Sequence, residues 1–305
     1  MKAFVASLLF VCLALCVAVD SQASVLGDGL TFNGLTDRLE DDSVGLFEDE
    51  DTSGTVSAGD LIKGVIQIGK VFRDDFTASG TDADLDSVFA VYSLEVLSVS
   101  GTRVTLGAAS GSDNVVSIAT SVGLSDLGIS VADAATAGIV VVEKAANVSF
   151  NAFNATGGFV SGGEIASEIS SANGYVTDMI LGFDGIDDFH DLELESATYT
   201  SLATLAGLVG TGTTIAEFRA AYTILESIFS VNFNDVTVTD FGGSTVTGDI
   251  VTFGNTEIAA PSGGEFSRGW LFSDDGDFLI NPAPEPSSLI LWGSLALLGA
   301  SRRKR

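Results

Sequence analysis

Residues 49–60 read Asp49-Glu50-Asp51-Thr52-Ser53-Gly54-Thr55-Val56-Ser57-Ala58-Gly59-Asp60. Oxygen-bearing side chains recur here at alternate places: carboxylates from Asp49 and Asp51, hydroxyls from Ser53 and Ser57, and a closing carboxylate from Asp60. Gly54 permits a sharp turn that would swing the Thr55 carbonyl inward, and Val56 supplies an apolar anchor. A hard cation such as calcium takes roughly six to eight oxygens in flexible geometry, so this spacing can assemble a shell around one ion. The competing reading is an acidic turn that is simply solvated.

The stretch resembles the calcium loop of EF-hand and dockerin-like proteins nearly position by position. The resemblance implies a ligand set of Asp49, Asp51, Ser53, Thr55, Ser57 and Asp60, with Thr55 acting through its carbonyl and Ser57 directly or through water. Two places depart from the pattern. Asp60 stands where a longer Glu usually reaches the ion with both oxygens, and Ser53 replaces the commoner carboxylate or amide. The segment that follows, residues 61–72, opens Leu61-Ile62-Lys63-Gly64-Val65-Ile66-Gln67-Ile68 and suits either an exit helix or a strand.

Other chemistry-bearing clusters are less specific. Asp184, Asp187, Asp188 and Asp191 crowd around His190, the single histidine, where a carboxylate-rich metal site or a solvated acidic loop would both fit. A transition-metal site normally wants a second imidazole or a thiolate. Asp82, Asp84 and Asp86, and likewise Asp275 and Asp277, alternate as solvated faces do. There is no Gly-x-Ser-x-Gly elbow and no phosphate-cradling Gly-rich loop with its Lys. Paired carboxylates for glycoside hydrolysis remain open, although sugar-stacking aromatics are sparse.

The two ends read as delivery signals. Lys2 precedes an apolar run from Ala3 to Val19, and Ser21-Gln22-Ala23 offers the small residues a signal peptidase reads. Residues 1–23 are thus expected to be removed, with Ser24 as the mature start. Cys12 and Cys16 leave with them, so the mature chain holds no disulfide. At the other end, Pro284-Glu285-Pro286 is followed by an apolar stretch and by Arg302-Arg303-Lys304-Arg305. From Ser287 to Ser301 is 15 residues, roughly 22 Å as a helix against a hydrocarbon core of about 30 Å. Snorkelling of the terminal cations would let it span as a short transmembrane segment.

This tripartite tail resembles the PEP-CTERM sorting signal of Gram-negative bacterial exoproteins. The resemblance covers residues 284–305 and implies export, an inner-membrane intermediate, and processing near Pro284, Glu285 and Pro286 by an exosortase. The usual Val before the tripeptide is Ala283 here.

Between the signals lies an ectodomain, residues 24–283, with 8 basic and 39 acidic residues, a formal charge of −31. Such a surface repels nucleic acid and attracts divalent cations. Abundant Val, Ile, Thr and Phe, with Gly, Asn and Asp breaks, predict a mainly β chain: an antiparallel sheet or sandwich-like body. Strand-like runs include Val88–Leu97, Arg103–Gly107, Ile139–Val142, Asn147–Phe153, Val236–Val246 and Asp249–Phe253. A small helical element is expected at about 200–230. Leu202, Leu205 and Leu208 keep helical spacing, and Thr214-Ile215-Ala216-Glu217 reads as a capping box opening a second helix with Phe218, Tyr222, Leu225 and Phe229 on one stripe.

These features point to an exported, non-enzymatic, calcium-binding protein of the cell surface or extracellular matrix, with the exosortase and then exopolysaccharide or neighbouring surface proteins as partners. The alternative is a secreted carbohydrate-active enzyme or carbohydrate-binding module.

Overall fold

The computed structural model describes residues 24–30, 34–73, 83–121, 131–144, 174–208, 211–229, 231–258 and 272–283. The signal segment, the run Asn147–Phe153 and the sorting tail with Pro284, Glu285 and Pro286 lie outside them.

The chain is mainly β, as composition predicts, and the sheet closes on itself. Four long strands carry most of it: β1 (Asp37–Glu48), β2 (Leu61–Phe72), β3 (Ala83–Ser100) and β8 (Thr214–Ser227). One edge of β3 takes β2. Its other edge takes β4 (Arg103–Ala108) near its C-terminal end and β5 (Ala137–Lys144) further back. In the same way, β8 carries β7 (Phe189–Leu194) and then β6 (Tyr175–Gly182) along one edge, and β12 (Ile250–Ile258) along the other. The segments pair β4 with β7 and β5 with β6, and β13 (Phe272–Ile280) joins β12 to β1. Every pairing is antiparallel. The result is an eight-stave meander, β1-β2-β3-(β4/β5)-(β6/β7)-β8-β12-β13, closed by β13 against β1. Closure removes the unpaired edges that a sandwich would expose.

Alternation along the staves sorts side chains by face. Leu39, Ile66, Leu94, Leu106, Ile139 and Tyr222 belong to the main core inside the barrel. Charges such as Arg38, Glu95, Arg103, Glu193, Glu217 and Asp277 stand at least partly exposed on the outside. That polarity is the reverse of a lipid-facing barrel, which is apolar without and polar within. No helix among the described residues is long and apolar enough to cross a membrane. Where the outer wall is apolar it is covered: helix α2 (Val115–Ser121) packs Val115 and Ala119 into a second cluster with Phe89, Val91 and Val140. The hairpin of β10 (Val236–Thr239) and β11 (Thr245–Gly248) covers Ala221 and Val251 through Val236.

The two ends of the barrel differ. The base is plugged by helix α1 (Val25–Gly29), which drives Leu26 into the core, and Arg73 Nε donates to the Gly29 carbonyl at 2.8 Å. The chain also leaves from this base. Gly34 N donates to the Pro282 carbonyl at 2.9 Å, and β14 (Pro282–Ala283) pairs with β9 (Asn232–Phe233). The opposite end carries the β1–β2 connection, residues 49–60, and helix α3 (Leu202–Leu208).

Two expectations are settled here. The helix at Leu202–Leu208 forms, but the capping-box segment does not: Thr214–Ser227 is β8, a strand with a partner on both edges. Residues 61–72, open between helix and strand, are β2.

Candidate metal centre

Because β1 ends at Glu48 and β2 begins at Leu61, the acidic loop is a strand-to-strand connection, and no helix flanks it. Its winding depends on three residues at positive φ: Thr52 at 56°, Gly54 at 73° and Gly59 at 98°. Glycine takes this conformation freely. A β-branched Thr does not, and strain of this kind persists only where the surroundings enforce it. They do so here. Thr52 N donates to the Asp49 carbonyl at 3.3 Å, and Gly59 N and Val96 N exchange bonds with the Val96 and Asp60 carbonyls, each at 2.8 Å.

All six residues expected as ligands join one network. Asp49 accepts from the amides of Ser53 at 3.0 Å and Gly54 at 2.8 Å. Asp51 accepts from the Ser53 amide at 2.8 Å and the Ser57 hydroxyl at 3.1 Å. The Ser53 hydroxyl donates to the Thr55 carbonyl at 2.9 Å. Asp60, fully buried, accepts from the amides of Glu50 at 3.0 Å and Ser57 at 2.6 Å. These donors aim the carboxylates inward. One oxygen each from Asp49, Asp51 and Asp60 lies within 4.8 Å of the others. The Ser53 hydroxyl and amide hold the Asp51 carboxyl below the usual carboxylate range, so it stays ionised.

Three carboxylates this close repel one another unless a cation sits among them. The donors are all oxygen, which suits a hard ion such as calcium. The residues present therefore fit the ion that the loop spacing suggests.

The loop is fastened to α3. Leu202 N donates to the Gly54 carbonyl at 3.0 Å, Val56 N donates to the Thr200 carbonyl at 2.7 Å, and Thr55 bridges to Ser201. Together Val56, Tyr199 and Leu205 roof a cavity inside the barrel. Sequence spacing had no means of showing that the loop and the helix meet, since about 150 residues separate them.

The cluster around His190 does not assemble. Asp184 and Asp187 are exposed in the β6–β7 connection, and Asp188 accepts from the Gly185 amide at 2.7 Å. His190 and Asp191 are neighbours on β7 and so face opposite sides. His190 turns into the cavity, with Nδ1 2.7 Å from the Tyr222 hydroxyl, and burial pushes its imidazole down to about 4. Asp191 turns outward and pairs with Arg103 through Nε at 3.0 Å. Asp275 is exposed, and Asp277 pairs with Arg38 at 3.1 Å, as befits an outer face.

A third group lies at the base. Ser24 Oγ accepts from the Gly27 amide at 3.1 Å and lies 3.0 Å from Glu143 Oε2 and 3.3 Å from Asp178 Oδ1. One hydroxyl proton can serve only one carboxylate at a time. Burial and the nearby Glu143 push Asp178 up to about 8.

No protein-family model matches this chain, and no curated protein or solved structure matches it.

Proposed function

We propose that this chain is an exported, non-enzymatic barrel protein of the bacterial cell surface or extracellular matrix, calcium-bound at the 49–60 loop and sorted by an exosortase-type system. The observation that carries the calcium assignment is the convergence of Asp49, Asp51 and Asp60 within 4.8 Å on a loop whose amides already orient them. Calcium then acts by ordering the roofed end of the barrel, and through the anionic surface it bridges neighbouring molecules or exopolysaccharide. Support for cleavage after Ala23 comes from Ser24. A new α-ammonium there would arise one side chain away from the buried Glu143 and Asp178 and would neutralise part of their charge. Support for a tail acting as a tether comes from the chain leaving the base at Ala283, next to the sorting tripeptide.

The test is calorimetry with calcium on the purified wild type, Asp49→Ala and Asp51→Ala. Stoichiometric binding lost in both variants supports the site, and unchanged affinity in both retires it. Fractionation of cells with and without the sorting enzyme tests the delivery half: accumulation of the unprocessed chain in the membrane without the enzyme is expected.

A further inference from the structure

Lys63 is 2% exposed although it carries a charge. It lies near the start of β2, paired across the sheet with Leu46 on β1 and Ser93 on β3. Leu46 and Val65, the latter two residues on along the same face, both belong to the apolar cluster under α2. A buried ammonium needs partners, and two carboxyls supply them. Nζ donates to Glu48 Oε2 and to Asp113 Oδ1, at 2.7 Å each.

The three side chains come from separate elements. Glu48 ends β1, Lys63 belongs to β2, and Asp113 closes the 3-10 turn Gly111–Asp113 that leads into α2. That turn is itself pinned. The Asp113 carbonyl accepts from the hydroxyl of Ser93, on the strand beside Lys63, at 2.6 Å. The next residue, Asn114, is buried and donates its side-chain amide to the carbonyls of Ala109 at 3.0 Å and Ala137 at 3.2 Å.

One ammonium thus faces two carboxylates. Burial works to discharge the Lys63 amine, and the hydrogen bonds and charges of Asp113 and Glu48 outweigh it, keeping the proton on nitrogen. The same two bonds are the tracks along which protons can leave. An amine touching two carboxyls has the parts an amide condensation requires: a nucleophile, an electrophile and a proton relay.

We propose that Lys63 and Asp113 join in a spontaneous isopeptide bond, with Glu48 as the proton relay. The Nζ–Cγ bond forms and one Cγ–O bond of Asp113 breaks. Of the three ammonium protons, one stays on the amide nitrogen and one passes directly to the Asp113 oxygen. The last goes to Glu48 Oε2 and from there to the same oxygen, which departs as water. Glu48 ends as it began and accepts from the new amide N–H. Ammonium and carboxylate become amide and water, so atoms and charge balance without any outside reactant.

Groups held in contact react with effective molarities of about 10⁵–10⁸ M, which drives condensation against the surrounding water. The step also removes a pair of opposite charges from a site that shields the ammonium, and a buried pair is costly to keep. The Asp113 side chain is 44% exposed, which gives the released water a way out. Both cysteines of the chain fall in residues 1–23, so the barrel has no disulfide to rely on. This bond would tie β2 to the turn that seats α2, across a separation of 50 residues, and would restrict the unfolded chain as a disulfide does.

Tryptic peptide mapping of the purified full-length chain tests the bond. Trypsin cuts after Lys and Arg but not after a Lys63 linked through Nζ. One branched species is expected, joining residues 39–70 to residues 104–144, lighter than the two peptides together by one water and stable to denaturant and reductant. Fragmentation should place the branch at Lys63 and Asp113. Glu48→Gln keeps the length of the side chain but relays no proton, so linkage timed from synthesis should be about a hundredfold slower or more. Asp113→Ala should give no branch while keeping the circular dichroism spectrum of the wild type. Separate peptides 39–63 and 104–144 from the folded wild type would overturn the bond, whether or not either variant folds. A branch at Lys63 that survives Asp113→Ala, or linkage undiminished in Glu48→Gln, would overturn the assigned partner or the relay.

Discussion

The amide of Leu202 donates to the carbonyl of Gly54 at 3.0 Å, so the first residue of the roof helix is bonded to the residue on which the acidic loop turns. Two segments distant in sequence thereby share one backbone contact, and whatever stiffens the loop stiffens the roof. Calcium is expected to slow amide exchange at Leu202 and Val56 in the wild type and to leave both unchanged in Asp49→Ala. At a calcium concentration of about a hundred times Kd the linked stabilisation is about 2.7 kcal/mol. Exchange measured by mass spectrometry over residues 50–60 and 198–208 reads this directly, and equal exchange with and without the ion would break the link.

Asp60 and Asp49 should separate a structural loss from a metal-binding loss. Asp60 is fully buried and accepts from two amides, so Asp60→Ala is expected to cost about 2–4 kcal/mol even in chelator. Asp49 is more exposed, and Asp49→Ala should lower stability chiefly when calcium is present. Urea unfolding with and without calcium distinguishes them.

Asp178 gives the chain a pH signature. Its folded value of about 8 exceeds the ordinary carboxylate value of 3.8, so between those limits the folded state holds a proton that the unfolded state has released. Its contribution is fully present below about 4 and is lost as pH rises through 8. Melting temperature should therefore rise on acidification from pH 8 to 5 in a chain that keeps residues 1–23, and Asp178→Asn should flatten that slope. In a chain beginning at Ser24 the new ammonium favours the ionised carboxylate, and the slope should shrink without any substitution. Identical slopes in the two chains would count against a charged terminus at this site.

Gly64 makes room for Tyr92. A Cβ at this position would fall on the Tyr92 hydroxyl and the Val44 carbonyl, which themselves lie 3.4 Å apart as donor and acceptor. Gly64→Ala is expected to destabilise by about 1–3 kcal/mol through overpacking. Denaturant midpoints at unchanged m would register it.

The strand content of this chain is legible because Val, Ile, Thr and Phe alternate between turn residues, and Val88–Leu97, Arg103–Gly107 and Ile139–Val142 all fall inside strands. The segment after Thr214 misleads for a definite reason. Phe218 and Tyr222 are four apart, and residues four apart share a face in a helix and in a strand alike. Ala216, Ala220 and Tyr222 turn into the lumen while Ala221 is buried under the β10–β11 hairpin, so burial on both faces erases the alternation that would have marked a strand. Thr214 and Glu217 never meet as a cap; Thr214 reaches Glu257 across β12 instead. The loop ligands are legible because they are local. The lining of the cavity is not, since Asp41 and Asp274 come onto one wall only when the last stave closes on the first. One hint is present in hindsight: Asp274 keeps step with Gly276 and buried Phe278, whereas Asp275 and Asp277 keep step with the outside.

Because the described chain both begins, at Ser24, and finishes, at Ala283, beside the plugged base, the barrel has a polarity that its circular sheet alone would lack. If the proposed tether holds, the molecule would stand upright on the lipid, with the acidic 49–60 loop turned to the medium. Divalent ions would then stitch neighbours together crown to crown, into a layer whose cohesion follows the calcium supply outside the cell.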